Sequence, residues 1–490
     1  MKSILTVAAV TGFALGAVPA FANECVGGVC SLPAPSSAVE KALDAQAAPS
    51  AREIQSSVDS YLASAKSDVL LVGGAGSAGY DGGFWIRGGT FLMKINLTLQ
   101  TRWEGFQWDK NPDEPAPGGD LSGFSLPRVT LKFSGDATCD VHYYAELEFG
   151  HAGSYLDNQN NVGITPPKSS LGAAILDTFI LGNGVRTATF RPDFGIAREA
   201  WIEYEAAPQL AFRMGLVKTA ATRQLMTPPE MQQFVDISMA SAFIGTFNPG
   251  YSDRNRDYGL MVHGAVGCDG EWQYLLTVTN GDGPVRRNVL DGTTDDPMAY
   301  SARVNWDVKG HMGYEEGALR QHSCEWAAAV GVWGTYYLDH FRENALTQSY
   351  ERATYGVDVA AGYGGFSFTG AYSMADFKTK FGATNIDFSA YSYLIQLGYL
   401  FPDTAWELAA RYSLHNLENR PVTAANTFGG FEIGAALNYY IDGHDDKVTL
   451  DVAFISSEKT GNFVADTYAG YSTTGTGKAT MLRLQWQLAL

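Results

Sequence analysis

The chain has 490 residues and carries 52 Asp and Glu against 34 Lys and Arg, which gives a formal net charge of -18. This acidic balance argues against nucleic acid as a partner, because a protein that neutralises phosphates needs a surplus of basic side chains. The mean hydropathy of -0.10 excludes a bundle of membrane helices, since each such helix needs roughly 20 consecutive apolar residues. The 54 glycines and the 12% of aromatic residues instead indicate many turns and strands.

The N-terminal region differs from the rest of the chain. Residues 1–22 have the form of a cleaved signal peptide, with Lys2 before an apolar stretch and the small residues Ala20 and Ala22 at the expected cleavage site. Residues 23–82 are rich in Ala, Ser and Pro, and we expect a periplasmic linker with one short helix that ends in a glycine-rich hinge at residues 73–83.

The sequence has 5 cysteines, so at least one thiol is free or pairs with another chain. Cys25 and Cys30 fit either a local loop or a link between subunits. Cys268 and Cys324 fall in neighbouring predicted turns, so a bridge between them is one option, with Cys139 left over. No CxxC motif or histidine pair at ligand spacing accompanies them, and we expect no metal and no cofactor.

From Phe91 to the C-terminus, apolar and polar residues alternate with a period of two. Ile95, Leu97 and Leu99 occupy one face of the first segment, and Thr98 and Arg102 occupy the other. The pattern continues through about 16 segments of the length that a tilted strand needs to cross a bilayer. It therefore predicts an all-β fold, a transmembrane antiparallel β-barrel of about 16 strands over residues 83–490.

Short and long connections alternate along these segments. Short turns are predicted at residues 135–140, 206–209, 267–270, 364–365, 402–404 and 443–446, with one longer exception at residues 309–323. Long connections are predicted at residues 108–123, 150–193, 220–255, 281–297, 339–352, 378–387, 418–430 and 458–478. Outer-membrane barrels alternate short periplasmic turns with long external loops in this way.

Aromatic residues recur near the ends of the segments, as in the interfacial girdles of membrane barrels. They include Trp103, Trp306, Trp333, Tyr399 and Trp486. A soluble sandwich or propeller is the alternative, but no blade repeat of about 40 residues is visible.

Several stretches also resemble the phosphate-selective porin O/P family of bacterial outer membranes. They are Phe212-Arg-Met-Gly-Leu-Val-Lys218, Arg256-Asp-Tyr-Gly259, Asn280-Gly-Asp-Gly283, Tyr355-Gly-Val-Asp358, Leu437-Asn-Tyr-Tyr-Ile441 and Leu482-Arg-Leu-Gln485. The resemblance implies a 16-stranded barrel, a homotrimer in the outer-membrane lipid, and a water-filled channel for passive diffusion of ions and small hydrophilic solutes, among them anions such as phosphate. The chain departs from the family pattern at Ala220 and Ala221, where a turn of the Pro-Phe-Gly type is usual.

The alternation assigns a set of basic side chains to the lumen of the barrel, where they would line a pore. The predicted lining residues are Lys94, Arg102, Arg128, Lys132, Arg213, Lys218, Arg303 and Arg411, with Lys447 and Arg483 on the same faces. Acidic residues share these faces, so cross-strand ion pairs that hold the register are the alternative interpretation of any one of them.

The third long connection, residues 220–255, is the predicted constriction loop, and Arg352 is expected to be an external charge. The loop carries Arg223, Glu230, Asp236, Asp253 and Arg254, together with apolar residues suited to packing on the wall. Two basic and three acidic residues make a poor anion trap, so we expect a general pore with weak selectivity.

Two other functional classes remain open at this stage. An outer-membrane barrel enzyme of the phospholipase type would need a serine and a histidine at matching depth, and Ser389 and Ser392 are the nearest candidates. A surface-adhesive barrel would use its long loops. No HExxH or GxSxG motif is present, and we expect no catalytic residues and no enzyme activity.

Overall fold

A computed structural model of the chain describes residues 76–108, 121–149, 196–245, 255–281, 294–319, 326–343, 346–381, 384–418, 429–458 and 477–490. These residues form one antiparallel sheet of 18 strands. The strands are β1 (Gly76–Tyr80), β2 (Phe84–Gly88), β3 (Phe91–Trp108), β4 (Leu121–Asp136), β5 (Val141–Glu148), β6 (Ile196–Ala207), β7 (Leu210–Lys218), β8 (Arg256–Val266), β9 (Trp272–Thr279), β10 (Thr294–Lys309), β11 (Ala327–Glu343), β12 (Leu346–Tyr363), β13 (Phe366–Phe381), β14 (Thr384–Leu400), β15 (Trp406–Glu418), β16 (Gly429–Asp442), β17 (Asp446–Glu458) and β18 (Gly477–Ala489).

Sixteen of these strands, β3 to β18, close into a barrel. Each pairs with the next along the chain, and β18 pairs back onto β3, from Ala479 opposite Trp108 to Ala489 opposite Thr98. Among the described residues, closure gives each of these sixteen strands a hydrogen-bonded neighbour on both sides, and hydrocarbon would penalise an open edge by several kcal/mol per unsatisfied group. The predicted transmembrane barrel of about 16 strands is confirmed.

Strands β1 and β2 form a hairpin that extends the sheet beside the beginning of β3. Strand β2 pairs with residues 91–95 of β3, next to the C-terminal end of β18. The sheet therefore begins at Gly76, inside the segment that was expected to be a hinge. The signal peptide and the rest of the linker, with Cys25 and Cys30, lie outside the described residues.

The two faces of the barrel wall differ as the alternation predicts. Leu97 is 36% exposed on the outside, whereas Thr98 is 2% exposed on the inside. Trp306 and Trp486 are exposed outward, as interfacial residues should be. The prediction of Trp333 in this outer girdle is wrong: Trp333 faces the lumen and belongs to the same buried apolar cluster as Phe377, because its strand contributes odd-numbered residues to the inside.

The six predicted short turns lie together at one end of the barrel, named here the turn end. Between β12 and β13, Gly364 and Gly365 have φ of 52° and 89°. Positive φ at both central residues is the requirement of a tight hairpin turn, and glycine meets it without steric cost. The opposite end is named the loop end.

Two predicted long connections at the loop end are wrong. Strand β11 pairs with β12 as far as Glu343 opposite Leu346, and β13 pairs with β14 as far as Phe381 opposite Thr384. The segments 339–352 and 378–387 are therefore mostly strand. Charged residues such as Lys378 and Asp387, which lie opposite each other in the β13–β14 pair, interrupt the period of two in the sequence.

Two segments leave the wall and enter the lumen. The first, named the lumen loop, is residues 219–245, with the short helix α1 (Arg223–Met226), the 3-10 helix Pro229–Met231 and the helix α2 (Met239–Gly245). The second, named the inner turn, is residues 310–319 between β10 and β11. No helix in the described part of the chain is long and apolar enough to cross a membrane.

The described cysteines contradict the optional bridge between Cys268 and Cys324. Cys268 is a free, exposed thiol, whereas Cys139 is disulfide-bonded. The spacing of the cysteines along the chain cannot show which two of them pair, because several turns lie close together at the turn end.

Candidate functional site: the constricted lumen

The lumen loop packs against one side of the barrel wall through apolar contacts. Phe243 and Ile244 of α2 are fully buried with Phe377, Ile455 and small wall residues such as Ala375. Alanines on the wall let the helix approach closely, and each large side chain buried here stabilises the docked loop by about 1.5–3 kcal/mol. The side of the lumen formed by β13 to β18 is therefore filled by protein.

The loop carboxylate Asp236 lies among three arginines of the barrel wall. Its oxygens are 3.0 Å from Arg102, 3.5 Å from Arg483 and 3.8 Å from Arg128. Arg102 and Arg128 come from β3 and β4, whereas Arg483 comes from β18, on the other side of the closure seam. One acidic residue of the loop thus neutralises a basic patch that would otherwise face the lumen.

Most other predicted lining arginines are also bound to wall carboxylates. Arg411 contacts Glu432 at 2.5 Å, and its guanidinium lies 4.1 Å from the Phe234 ring of the loop. Arg483 contacts Asp451 at 2.6 Å, and Arg213 contacts Glu203 at 2.6 Å. These cross-strand pairs match the alternative interpretation of the lining residues.

Arg303 donates hydrogen bonds from all three of its guanidinium nitrogens. Its two terminal nitrogens donate to both oxygens of Asp358 at 2.7 Å, and Nη1 also donates to the carbonyl of Ala221 at 2.9 Å. Asp358 in turn accepts the backbone N–H of Arg223 at 3.0 Å. This buried pair therefore fixes the start of the lumen loop to β10 and β12.

The middle of the loop is held by Glu230, which contacts the ammonium of Lys132 on β4. Burial by itself raises the pKa of the Glu230 carboxyl, but the charge and hydrogen bond of Lys132 outweigh it and lower the pKa below the ordinary value of 4.5. Lys447 donates to the loop carbonyl of Gln232 at 2.5 Å. Two lysines of the lumen face therefore hold the loop.

The inner turn contacts the lumen loop directly, which the sequence did not predict. Glu316 of the turn is buried, and its backbone N–H donates to the carbonyl of Met231 at 2.9 Å. Arg223 of the loop donates to the carbonyl of Gly313. The signal in the sequence was the unusual length of residues 309–323 among otherwise short turns.

An open space remains on the opposite side of the lumen, beside β6 to β10. Its volume is about 410 Å³, and its lining includes Arg213, Lys218, Met226, His263, Arg303 and Tyr314. The Lys218 ammonium donates to the carbonyl of Met226 at 2.9 Å, and no described carboxylate lies within ion-pair distance of it. Both polar and apolar groups therefore border this space.

The remaining predicted residues are placed as follows. Lys94 lies half-exposed on the lumen face of β3 near the turn end. Asp253 and Arg254 lie outside the described residues. Arg352, expected to be an external charge, is instead 7% exposed and lies over the Tyr337 ring, because β12 continues through this region as strand.

Among the described residues, no group of His, Cys, Asp and Glu is arranged to hold a metal.

Comparison with one solved structure supports the barrel architecture. An anion-selective porin from Comamonas acidovorans matches with a TM-score of 0.51 and 13% sequence identity, over 81% of this chain and 99% of the other. The OprB structure from Pseudomonas putida matches with a TM-score of 0.49 and 10% identity, over 81% and 94% of the two chains. At 13% identity, the likeness to the Comamonas porin establishes the fold alone.

Comparison with protein families gives a more specific result. The family model described as phosphate-selective porin O and P matches residues 100–488, nearly the whole barrel. A search of curated protein sequences finds no match. Together with the closed barrel and its polar lumen, the family match shows that this chain belongs to the porin O and P family and is an outer-membrane channel for passive diffusion.

Proposed function

We propose that this channel passes ions and small hydrophilic solutes with weak charge selectivity, through the space beside β6 to β10. A strong anion trap needs converging Arg and Lys side chains with few carboxylates nearby. Here Arg303, Arg411 and Arg483 are each bound to a wall carboxylate. Neutralisation of the basic lining is the observation that carries the proposal.

Geometry also limits the size of the solute. The lumen loop fills the side formed by β13 to β18, so a solute that crosses the barrel has to pass beside Arg213, Lys218 and His263. Lys218, without a described carboxylate partner, gives the path a mild attraction for anions such as phosphate. The nearby Glu199 and the pair of Arg213 with Glu203 offset it.

The proposal includes export and assembly. The signal peptide is cleaved after Ala22, the linker of residues 23–75 lies in the periplasm at the turn end, and the mature chain assembles as a homotrimer in outer-membrane lipid. The form of residues 1–22 and the family resemblance support these points. N-terminal sequencing that begins at Asn23 and a trimer mass in mild detergent are the expected results.

Selectivity is tested by reconstituting the mature chain in a planar bilayer under a gradient of KCl. We expect stepwise conductance and a reversal potential close to zero, because fixed charges of both signs border the path. A large reversal potential of the sign given by chloride permeation would contradict weak selectivity. Lipid hydrolysis by the same preparation, without conductance, would favour the barrel enzyme instead.

A further inference from the structure

The inner turn rises from the turn end into the lumen, although a connection between neighbouring strands needs only a few residues. Met312, Glu316 and Ala318 are almost completely buried, unlike residues of an ordinary periplasmic turn. The turn has one face on the lumen loop and another on the open space beside β6 to β10. It is therefore positioned to narrow the passage.

Glu316 fixes this turn through neutral donors from two other elements. Its carboxylate accepts hydrogen bonds from the side chains of Gln224 and Gln396, each at 2.9 Å, and from the backbone N–H of Gln233 at 2.9 Å. Gln224 and Gln233 belong to the lumen loop, and Gln396 belongs to β14. Two residues on, the N–H of Ala318 donates to Glu407 of β15 at 3.0 Å.

Tyr314 lies two residues before Glu316 and borders the open space. Its hydroxyl accepts a hydrogen bond from Nε of Arg303 at 2.8 Å. The guanidinium groups of Arg223 and Arg303 lie 5.3 and 5.4 Å from the centre of its ring. Because Arg303 is itself held by both oxygens of Asp358, the ring has a fixed support at the edge of the passage.

We propose that the inner turn is a second constriction of the channel, in which Tyr314 limits the size of solutes that enter from the turn end. Glu316 is a positioning residue that holds Tyr314 there through the lumen loop and the wall. This inference rests on the proposed function, because it takes the space beside β6 to β10 as the path. It adds a size limit to the weak charge selectivity proposed above.

The test compares Tyr314→Ala with Tyr363→Ala in single-channel recordings. Tyr363 is a matched control, since it lies at the same end of the barrel but faces outward and stacks on Trp326. Polyethylene glycols of increasing size are added to one side of the bilayer, and the largest polymer that lowers the conductance is recorded for each side. Heat modifiability on gels confirms that each variant is folded.

We expect Tyr314→Ala to raise the conductance and to admit larger polymers from the turn end, with little change from the loop end. Tyr314→Phe keeps the ring and should keep the size limit. Glu316→Ala should also raise the limit, and it should add little in the Tyr314→Ala background if Glu316 acts through Tyr314. Should Tyr314→Ala fail to fold, Tyr314→Trp, with a larger ring, should lower the conductance.

Tyr314 variants that conduct and exclude polymers like the wild type and Tyr363→Ala would overturn the inference while leaving the channel function intact. A wild-type chain without conductance would instead contradict the proposed function. If the effects of Glu316→Ala and Tyr314→Ala on the size limit are additive, Glu316 does not act through Tyr314 and is not a positioning residue. The two proposals can therefore fail separately.

Discussion

Asp236 neutralises more basic charge than any other described residue of the lumen loop. Two unit charges 4 Å apart interact by about 4 kcal/mol at the effective dielectric constant of a protein surface, before the cost of desolvation. Three guanidinium groups, those of Arg102, Arg128 and Arg483, lie within such distances of this one carboxylate. Its removal leaves a converging basic patch beside the lumen.

We therefore expect Asp236→Asn to turn a weakly selective channel into one that prefers anions. The reversal potential in a KCl gradient should shift towards the chloride potential, by at least about twofold in the permeability ratio, given pair energies of this size. Asp403→Asn is a matched control, because Asp403 is an exposed turn residue with positive φ, a conformation that Asn also adopts. Equal shifts in the two variants would contradict the role given to Asp236.

The lumen loop is attached to the barrel wall at its start, its middle and its end by different kinds of contact. The Arg303–Asp358 pair fixes the start, and apolar packing of α2 fixes the end. Between them, the Glu230–Lys132 contact depends on the ionised form of a carboxyl group. The middle of the loop is consequently the part whose attachment responds to acid.

The lowered pKa of Glu230 shows in which direction the pH changes the stability of the docked loop. A carboxyl with a lower pKa in the docked loop than in the free one stabilises docking fully above the ordinary value of 4.5, and that contribution is lost as pH falls below it. We expect wild-type single-channel current to become noisier as the pH falls below 4.5. Glu230→Gln should show that noise already at neutral pH and change less with acid. A Glu230→Gln channel as quiet as the wild type at neutral pH would count against this attachment.

The strands and the lumen loop were predictable from sequence, whereas the inner turn was not. The period of two depends on local chemistry, so residues such as Leu97 and Thr98 reveal their faces within one strand. Glu316, by contrast, is bound by Gln224, which lies 92 residues away in the chain. The sequence of residues 310–319 contains no pattern that predicts a buried carboxylate. Likewise, the pairing of β11 with β12 as far as Glu343 is a matter of backbone register, which the charged residues of segment 339–352 do not reveal in the sequence.

The whole molecule depends on the contrast between an apolar outer surface and a polar interior. Ile395 and Leu397 of β14 are about half exposed on the outside, while Gln396 between them is buried and bonded to the inner turn. Closure of β18 on β3 continues this contrast around the full circumference. Such a surface is stable only when lipid covers it. The free-energy cost of placing a charge on the outer face therefore depends on how deep that position lies in the bilayer.

This depth dependence gives a test of how the barrel sits in the membrane. Ile395 lies six residues before Phe401, the residue that follows β14 at the turn end, so a tilted strand brings it near the middle of an apolar band about 25 Å tall. We expect Ile395→Arg to lower the free energy of unfolding by about 2–4 kcal/mol, and Phe401→Arg by only about 0–1 kcal/mol. Urea unfolding in lipid vesicles, followed by tryptophan fluorescence, measures both. Equal costs at the two positions, or a larger cost at Phe401, would mean that the lipid band does not lie where the outer face of the barrel places it.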